Sequence, residues 1–282
     1  MIHTNFHTHT TWSDGKSSAD ETIRQAITMQ MTVLGFSDHI HLPFKNNFAI
    51  VEGELPNYIN EIRSLATVYR NEINILCGLE VDYIPGVVEN FETIKNENKL
   101  DYLIGSVHMV TKNYPEIFWF IDGPERHSYD DGLTHFFDNN IREAVRAFYD
   151  QTNNMITKET FEIIGHFDKI KMHNQNRFFT EDENWYRKLV LETLDLIRQK
   201  GLIVEINTRG VYKKRSDSFF PSDWILKYMN DMRIPVIVSS DAHHCSELQL
   251  LFPEALQSLQ KAGYKEIVSF VENSWKQIPI DL

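Results

Sequence analysis

Short apolar runs alternate with longer amphipathic segments along this chain, the pattern of a parallel sheet whose strands are joined by helices. The runs fall at Ile2 to Thr8, Val33 to Ser37, Ile73 to Val81, Tyr102 to Val107, Glu162 to Gly165, Leu202 to Asn207 and Val236 to Ser239, which gives seven predicted strands. Between them, Ser18-Ala-Asp-Glu21 has capping-box spacing ahead of an apolar stripe of Ile23, Ala26 and Ile27. Pro56 suits the first turn of a helix carrying Ile59, Ile62, Leu65, Ala66 and Tyr69. Glu192 to Lys200 is a further amphipathic run stopped by Gly201, and Pro221-Ser-Asp-Trp-Ile-Leu opens another helix. Two stretches break the alternation, Thr111 to Leu133 and Lys169 to Glu183. Insertions of that length after a strand are commonly functional loops, and both are expected to shape a pocket.

The 282 residues suit one α/β barrel, a fold of about 250 residues, and no repeat, low-complexity tract or linker divides the chain. Residues 1–282 are therefore read as a single domain. With 42% hydrophobic and 24% charged residues the composition is that of a folded, soluble protein. No basic region precedes an apolar run at the start, and no stretch nears the roughly 18 apolar residues of a membrane span. A cytoplasmic protein without membrane partners is expected. Cys77 and Cys245 form no C-x-x-C pair, which argues against a disulfide framework or a thiolate zinc site. Cys77 sits in an apolar run and is read as core. The formal charge of −12 opposes a polyanion, so long nucleic acid is not the expected partner, although bound cations would offset part of that charge.

Metal-binding residue types recur at the carboxyl ends of the apolar runs, where barrel active sites are built. The first run ends in His7-Thr-His9, whose i and i+2 imidazoles share a face in an extended chain, and Asp14 follows in Trp-Ser-Asp-Gly. Asp-Gly alone would read as a turn. The second run ends in Ser37-Asp38-His39-Ile-His41, and in the third Glu80 interrupts an apolar strand, where it needs a compensating charge. The later runs end in His108, in His166, and in Asp241-Ala-His243. Singly, each is more often a hydrogen-bonded polar residue than a ligand. Together, at six of seven strand ends, they point to metal. Imidazoles and carboxylates without thiolates suit zinc, manganese or iron, and seven to nine of them are too many for one ion, so two or three divalent ions are implied. His3, His127, His135 and His173 are read as surface or packing residues, while His41 and His244 adjoin proposed ligands.

These motifs, FHTHTTWSDG, SDHIH, GLEVDYIPG, GSVHM, IIGHFD, EINTRG and SSDAHH, resemble those of the PHP (polymerase and histidinol phosphatase) superfamily, in its order and over nearly the whole chain. The third and fourth, with the Asn-Thr-x-Gly stretch, look most like its histidinol-phosphatase branch. The resemblance implies a distorted (β/α)7 barrel, TIM-barrel-like, with a trinuclear metal site. His7, His9, Glu80 and Asp241 would hold one ion, Glu80, His108 and His166 a second, and Asp14, His39 and His243 a third. Three departures stand out: Asp14 occupies a position that is histidine in many members, Ala242 replaces a serine, and Lys112 to Tyr129 has no alignable counterpart.

Paired cations acidify a bridging water and neutralise phosphate oxygens, so the implied chemistry is in-line hydroxide attack on a small phosphate monoester. His41 and His244 are the candidate acids for the leaving alcohol. Lys171, Arg177, Arg209 and Arg215 are candidate phosphate-binding residues, and Arg215 looks like the phosphate-contacting arginine of the branch. The branch implies hydrolysis of L-histidinol phosphate to L-histidinol and phosphate in histidine biosynthesis, with Asp122, Glu125 and Tyr129 available to the cationic end. The rival readings are a PHP phosphoesterase acting on nucleotides or other small esters, a metal-dependent amidohydrolase, and a non-catalytic metal-binding protein. Glu80 at the bridging position, rather than a lysine, weighs against the amidohydrolase arrangement. Nothing in the pattern specifies an oligomeric state.

Overall fold

A computed structural model of the chain describes residues 3–88, 90–111 and 118–280. The elements run β1 (Thr4–Asn5), α1 (Ala19–Thr28), β2 (Val33–Phe36), α2 (Leu55–Val68), β3 (Asn74–Asp82), α3 (Phe91–Asn98) and β4 (Tyr102–Ser106). A short hairpin follows, β5 (Met109–Thr111) with β6 (Phe118–Phe120), then α4 (Arg126–Phe137), α5 (Ile141–Lys158), β7 (Ile163–Ile164) and α6 (Asn184–Lys200). The chain continues through β8 (Ile203–Asn207), α7 (Arg209–Tyr212), α8 (Asp223–Asp231), β9 (Val236–Ser239), α9 (Phe252–Lys261) and a final hairpin, β10 (Glu266–Val271) with β11 (Ser274–Pro279).

All seven predicted runs contribute a strand to one sheet of order β1-β2-β3-β4-β7-β8-β9, parallel throughout, with helices between them, as expected of a distorted (β/α)7 barrel. Within the first run only Thr4–Asn5 pairs as a strand, and Ile2 lies outside the described residues. Beyond Asn5 the backbone leaves the ladder: His7 N–H donates to the Asn5 side chain, and His7 O accepts from Ala242 N. The bridge between Thr8 and Ala242 closes the seam between the first and last strands, beside the ligand-bearing strand ends.

Local signals behave as the sequence predicts at several helices. Ser18 and Glu21 cap α1 reciprocally, Pro56 lies in the first turn of α2, and Ser222 precedes α8. Helix α6 starts at Asn184, ahead of the predicted Glu192, and Gly201 ends it in the left-handed region at φ 69°. The insertion predicted at Thr111 to Leu133 begins at the last residue of β5 and contains β6 and the start of α4, although Lys112 to Ile117 lie outside the described residues. Among the described residues no helix is long and apolar enough to cross a membrane.

The core has two layers. The larger lies between sheet and helices and includes Cys77. The smaller fills the barrel with Phe6, Leu76, Tyr102, Ile104, Ile203 and Ile237, and the β10–β11 hairpin packs Val268, Phe270 and Trp275 against it. Tyr102 anchors this interior: its hydroxyl lies 2.6 Å from Phe6 O and 3.0 Å from Phe36 O, and its ring meets Phe6 and Trp275 edge to face. A side chain at Gly35 has no room, since an added Cβ would stand 2.4 Å from the Tyr102 hydroxyl. Overpacking of this kind costs about 1–3 kcal/mol. Gly35→Ala should therefore lower the urea midpoint by a corresponding amount; an unchanged midpoint would mean that the Tyr102 ring gives way freely.

Candidate metal centre

Strand alternation decides which polar residues enter the barrel. On β3, Leu76 belongs to the inner layer, so Glu80 and Asp82 share its face, while Cys77, Leu79 and Val81 face the helices. On β8, Ile203 is likewise inside, which brings Glu205 and Asn207 onto the inner face. The chain leaving each strand supplies the rest: His7 and His9 after β1, His39 after β2, His108 after β4, His166 after β7, Asp241 and His243 after β9.

Glu80 stands at the centre. Its Oε2 is 3.1 Å from His7 Nε2, 3.5 Å from His9 Nε2 and 3.3 Å from His39 Nδ1. Its Oε1 is 3.4 Å from His108 Nε2 and 3.1 Å from His166 Nε2, and accepts from Ser106 Oγ at 2.6 Å. Asp241 Oδ1 lies 3.5 Å from His9 Nε2, and His243 Nε2 lies 3.1 Å from Asp14 Oδ1. All nine predicted ligands come together, in overlapping groups of His7, His9 and Asp241; His7, Glu80 and His166; His39, Glu80 and His108; and His9, Asp14, His39 and His243. Cys245 joins none of them.

The donor set fits divalent cations on the protein's own terms. Both ring nitrogens of His9, Asp14 Oδ1 and His39 Nδ1 are buried without a hydrogen-bond partner. Stranding so many buried polar atoms is costly, and a cation among them removes the cost. With His243 Nδ1–H directed at the Asp241 carbonyl, 3.1 Å away, the Nε2 lone pair faces Asp14, an arrangement a cation between them resolves. Burial would raise the carboxyl of Glu80, yet His7, His108 and His39 hold it well below the usual range. Burial, reinforced by His9, pushes His243 down to about 4, leaving its imidazole neutral and able to donate a lone pair near pH 7.

A supporting layer fixes these groups. Glu205 Oε1 lies 2.6 Å from His7 Nδ1, and its Oε2 accepts from His166 N and Asn207 Nδ2. Asp82 Oδ1 lies 2.5 Å from His108 Nδ1, and Asp38 takes the backbone and hydroxyl of Thr10 together with Ser13 Oγ, shaping the loop that carries Asp14. Glu205 and Asp82 had no predicted role. The signal was the one that marked Glu80, a carboxylate on the inner face of an apolar strand.

Above the cluster opens a cavity of about 280 Å³. Arg215 lines it, and among the described residues its guanidinium makes no hydrogen bond. Lys169, unassigned by the sequence, also lines it, ion-paired to Asp122 at 2.7 Å. Burial alone would depress its ammonium, but Asp122, Asp241 and Glu80 lift it above the usual lysine range. Burial likewise works against the charge of Asp122, but Lys169 and His108 together hold the carboxyl below the usual range.

Four expected residues stand elsewhere. Lys171 is buried behind the wall, paired with Asp168 at 2.6 Å and donating to Phe219 O and Ser222 Oγ. Arg177 is spent on a bidentate pair with Asp130. His41 borders a separate depression with Leu42 and Phe44, and His244 is exposed, its ring accepting from Ser246 as a cap on the following turn. Neither histidine reaches the cavity, which removes both as acids there. Arg209 lines the cavity, but it donates to the backbone carbonyl of Asp241 at 2.8 Å, which makes it a brace for the chain that carries that residue.

The PHP domain family model matches residues 5–209, and the chain belongs to that family. Among named relatives it is similar to the histidinol-phosphatase of Bacillus subtilis, 24% identical over 275 residues, which cover 91% of this chain and 97% of that protein. Among solved structures it resembles a candidate histidinol phosphatase of Listeria monocytogenes, with TM-score 0.77, 20% identity and coverage of 89% of this chain and 99% of that one. It also resembles the histidinol phosphate phosphatase of Lactococcus lactis, solved with zinc, L-histidinol and phosphate, with TM-score 0.67, 19% identity and coverage of 97% of this chain and 98% of that one.

Removing a carboxylate that orients a metal-binding histidine typically weakens metal affinity by about 10–100-fold. Glu205→Gln should show a loss of that size in competition with a chromogenic chelator; undiminished affinity would reduce Glu205 to a packing role.

Proposed function

We propose that this chain is a divalent-metal-dependent phosphomonoesterase that hydrolyses L-histidinol phosphate to L-histidinol and phosphate, a step of histidine biosynthesis, as a single cytoplasmic domain spanning residues 1–282. The observation that carries the reading is the meeting of three unlike groups in one cavity. Its lining includes members of the carboxylate and imidazole cluster, then Arg215 and Lys169, and then Phe48 and Phe120, whose rings stack with centroids 5.7 Å apart. A phosphate needs the first two and a flat organic group suits the third. At about 280 Å³ the cavity sits at the small end of ligand pockets, which favours a compact ester over a long nucleic acid.

Two or three ions of zinc, manganese or iron in the cluster would supply Lewis-acid neutralisation of the phosphoryl oxygens and a hydroxide nucleophile at neutral pH. The chain's residues do the positioning. Arg215, with no guanidinium hydrogen bond among the described residues, can take two phosphate oxygens side by side, and Lys169, also on the lining, adds a point charge. Arg209 holds Asp241, and Glu205 and Asp82 hold His7 and His108, so the donors need not reorganise as charge shifts. Phe48 and Phe120 keep water from the organic half. The relatives' names agree with this reading, and the cavity's chemistry supports it independently.

Steady-state phosphate release with metal-quantified protein tests it. L-histidinol phosphate should be preferred in kcat/KM over nucleotides and simple esters, with activity abolished by chelation. Arg215→Ala should lower kcat/KM by about tenfold to a hundredfold, the worth of a charged hydrogen bond or two, with metal content intact. Activity confined to nucleotides would reject this substrate, and no hydrolysis by fully loaded protein would reject the phosphatase reading.

A further inference from the structure

Among the described residues, Asp122 is the one carboxylate lining the cavity that belongs to neither the metal cluster nor its supports. It lies just beyond β6, after Ile121, and its backbone is pinned on both sides: Ile121 N–H donates to His108 O at 3.0 Å, and His173 Nε2 lies 2.7 Å from Gly123 O. Its Oδ2 pairs with Lys169 at 2.7 Å. Its Oδ1 is buried with no hydrogen-bond partner. A carboxylate only accepts, so a fixed, buried, unpaired oxygen is a standing demand for a donor. Phe120, two residues earlier, also lines the cavity and stacks on Phe48, and Arg215 is on the lining too, with no guanidinium hydrogen bond among the described residues.

We propose that Asp122 receives a cationic amine of the substrate through Oδ1, which makes the cavity selective for aminoalkyl phosphate monoesters over neutral or further anionic esters of similar size. Lys169 holds the carboxylate in place while its own charge faces the phosphate, so substrate and cavity each carry both signs in matching order. A second phosphate or a nucleotide's negative charges would meet Asp122 with the wrong sign. The inference rests on the phosphomonoesterase reading above, but not on histidinol phosphate being the physiological ester.

Matched pairs separate the two. On metal-loaded wild-type protein, kcat/KM is compared for O-phosphoethanolamine against ethyl phosphate, and for L-histidinol phosphate against its analogue lacking the amine. Each amine should be preferred, and Asp122→Asn should shrink the preference by about tenfold to a hundredfold, the worth of a charged hydrogen bond. Metal content is measured on the same samples, because Asp122 Oδ2 also lies 3.8 Å from His108 Nε2. The proposal is overturned if wild-type protein shows no amine preference, a result that stands even if the variant does not fold. It is also overturned if the variant loses both members of each pair in parallel, which marks Asp122 as only an anchor for Lys169, or if it loses an ion. A preference for phosphoethanolamine that depends on Asp122, with histidinol phosphate untouched, would sink the substrate named above and leave this inference in place.

Discussion

The arrangement depends on one awkward fact, a carboxylate buried inside a barrel. Glu80 is 1% exposed, and five imidazoles, those of His7, His9, His39, His108 and His166, crowd its two oxygens. An isolated carboxylate in such a place would take up a proton, at the expense of its use as a ligand. Here the positive partners win and keep it ionised. The requirement spreads outward: histidines close enough to serve Glu80 must themselves be oriented, so Glu205 and Asp82 are buried behind them, and Asn207 steadies Glu205 in turn. The site is a nested set of compensations, each carboxylate explaining the polar group behind it.

Much of this was legible in the sequence because a parallel barrel writes its geometry locally. Strands buried on both faces appear as unbroken apolar runs, and their carboxyl ends share one rim, so residues distant in sequence can be grouped without contact information. His166 and His7 could be placed together on that argument alone. The basic residues could not. Lys169 and Lys171 lie two apart on the same one-turn 3-10 helix, and nothing in their local sequence says which faces the cavity. Asp168 and Ser222, which claim Lys171, come from separate loops. Arg177 was lost to Asp130 for the same reason. His41 failed because the chain turns out of the barrel rim after His39, whose backbone O accepts from Ile50 N–H. Polar groups at strand ends are fixed by the sheet, whereas the placement of basic residues on insertions depends on how two insertions meet.

The first insertion is also where one of this chain's departures from the shared motifs falls, from Lys112 to Tyr129. The β5–β6 hairpin brings Phe120 and Asp122 to the cavity, and the segment after β7 brings Lys169 and Met172. One insertion supplies the negative partner and the other the positive, so the Asp122–Lys169 pair ties together two loops that the barrel does not hold in register. The lining of the cavity can therefore change while the rim of imidazoles and carboxylates stays constant.

The Thr8–Ala242 bridge carries a consequence for how the protein comes into being. His7 and His9 are translated long before Asp241 and His243, and the seam that aligns the two pairs cannot form until the later strand has emerged. Until then the two histidines stand without a carboxylate from that strand to complete their set. Completion of the donor set therefore reports that two strands distant in sequence have found each other.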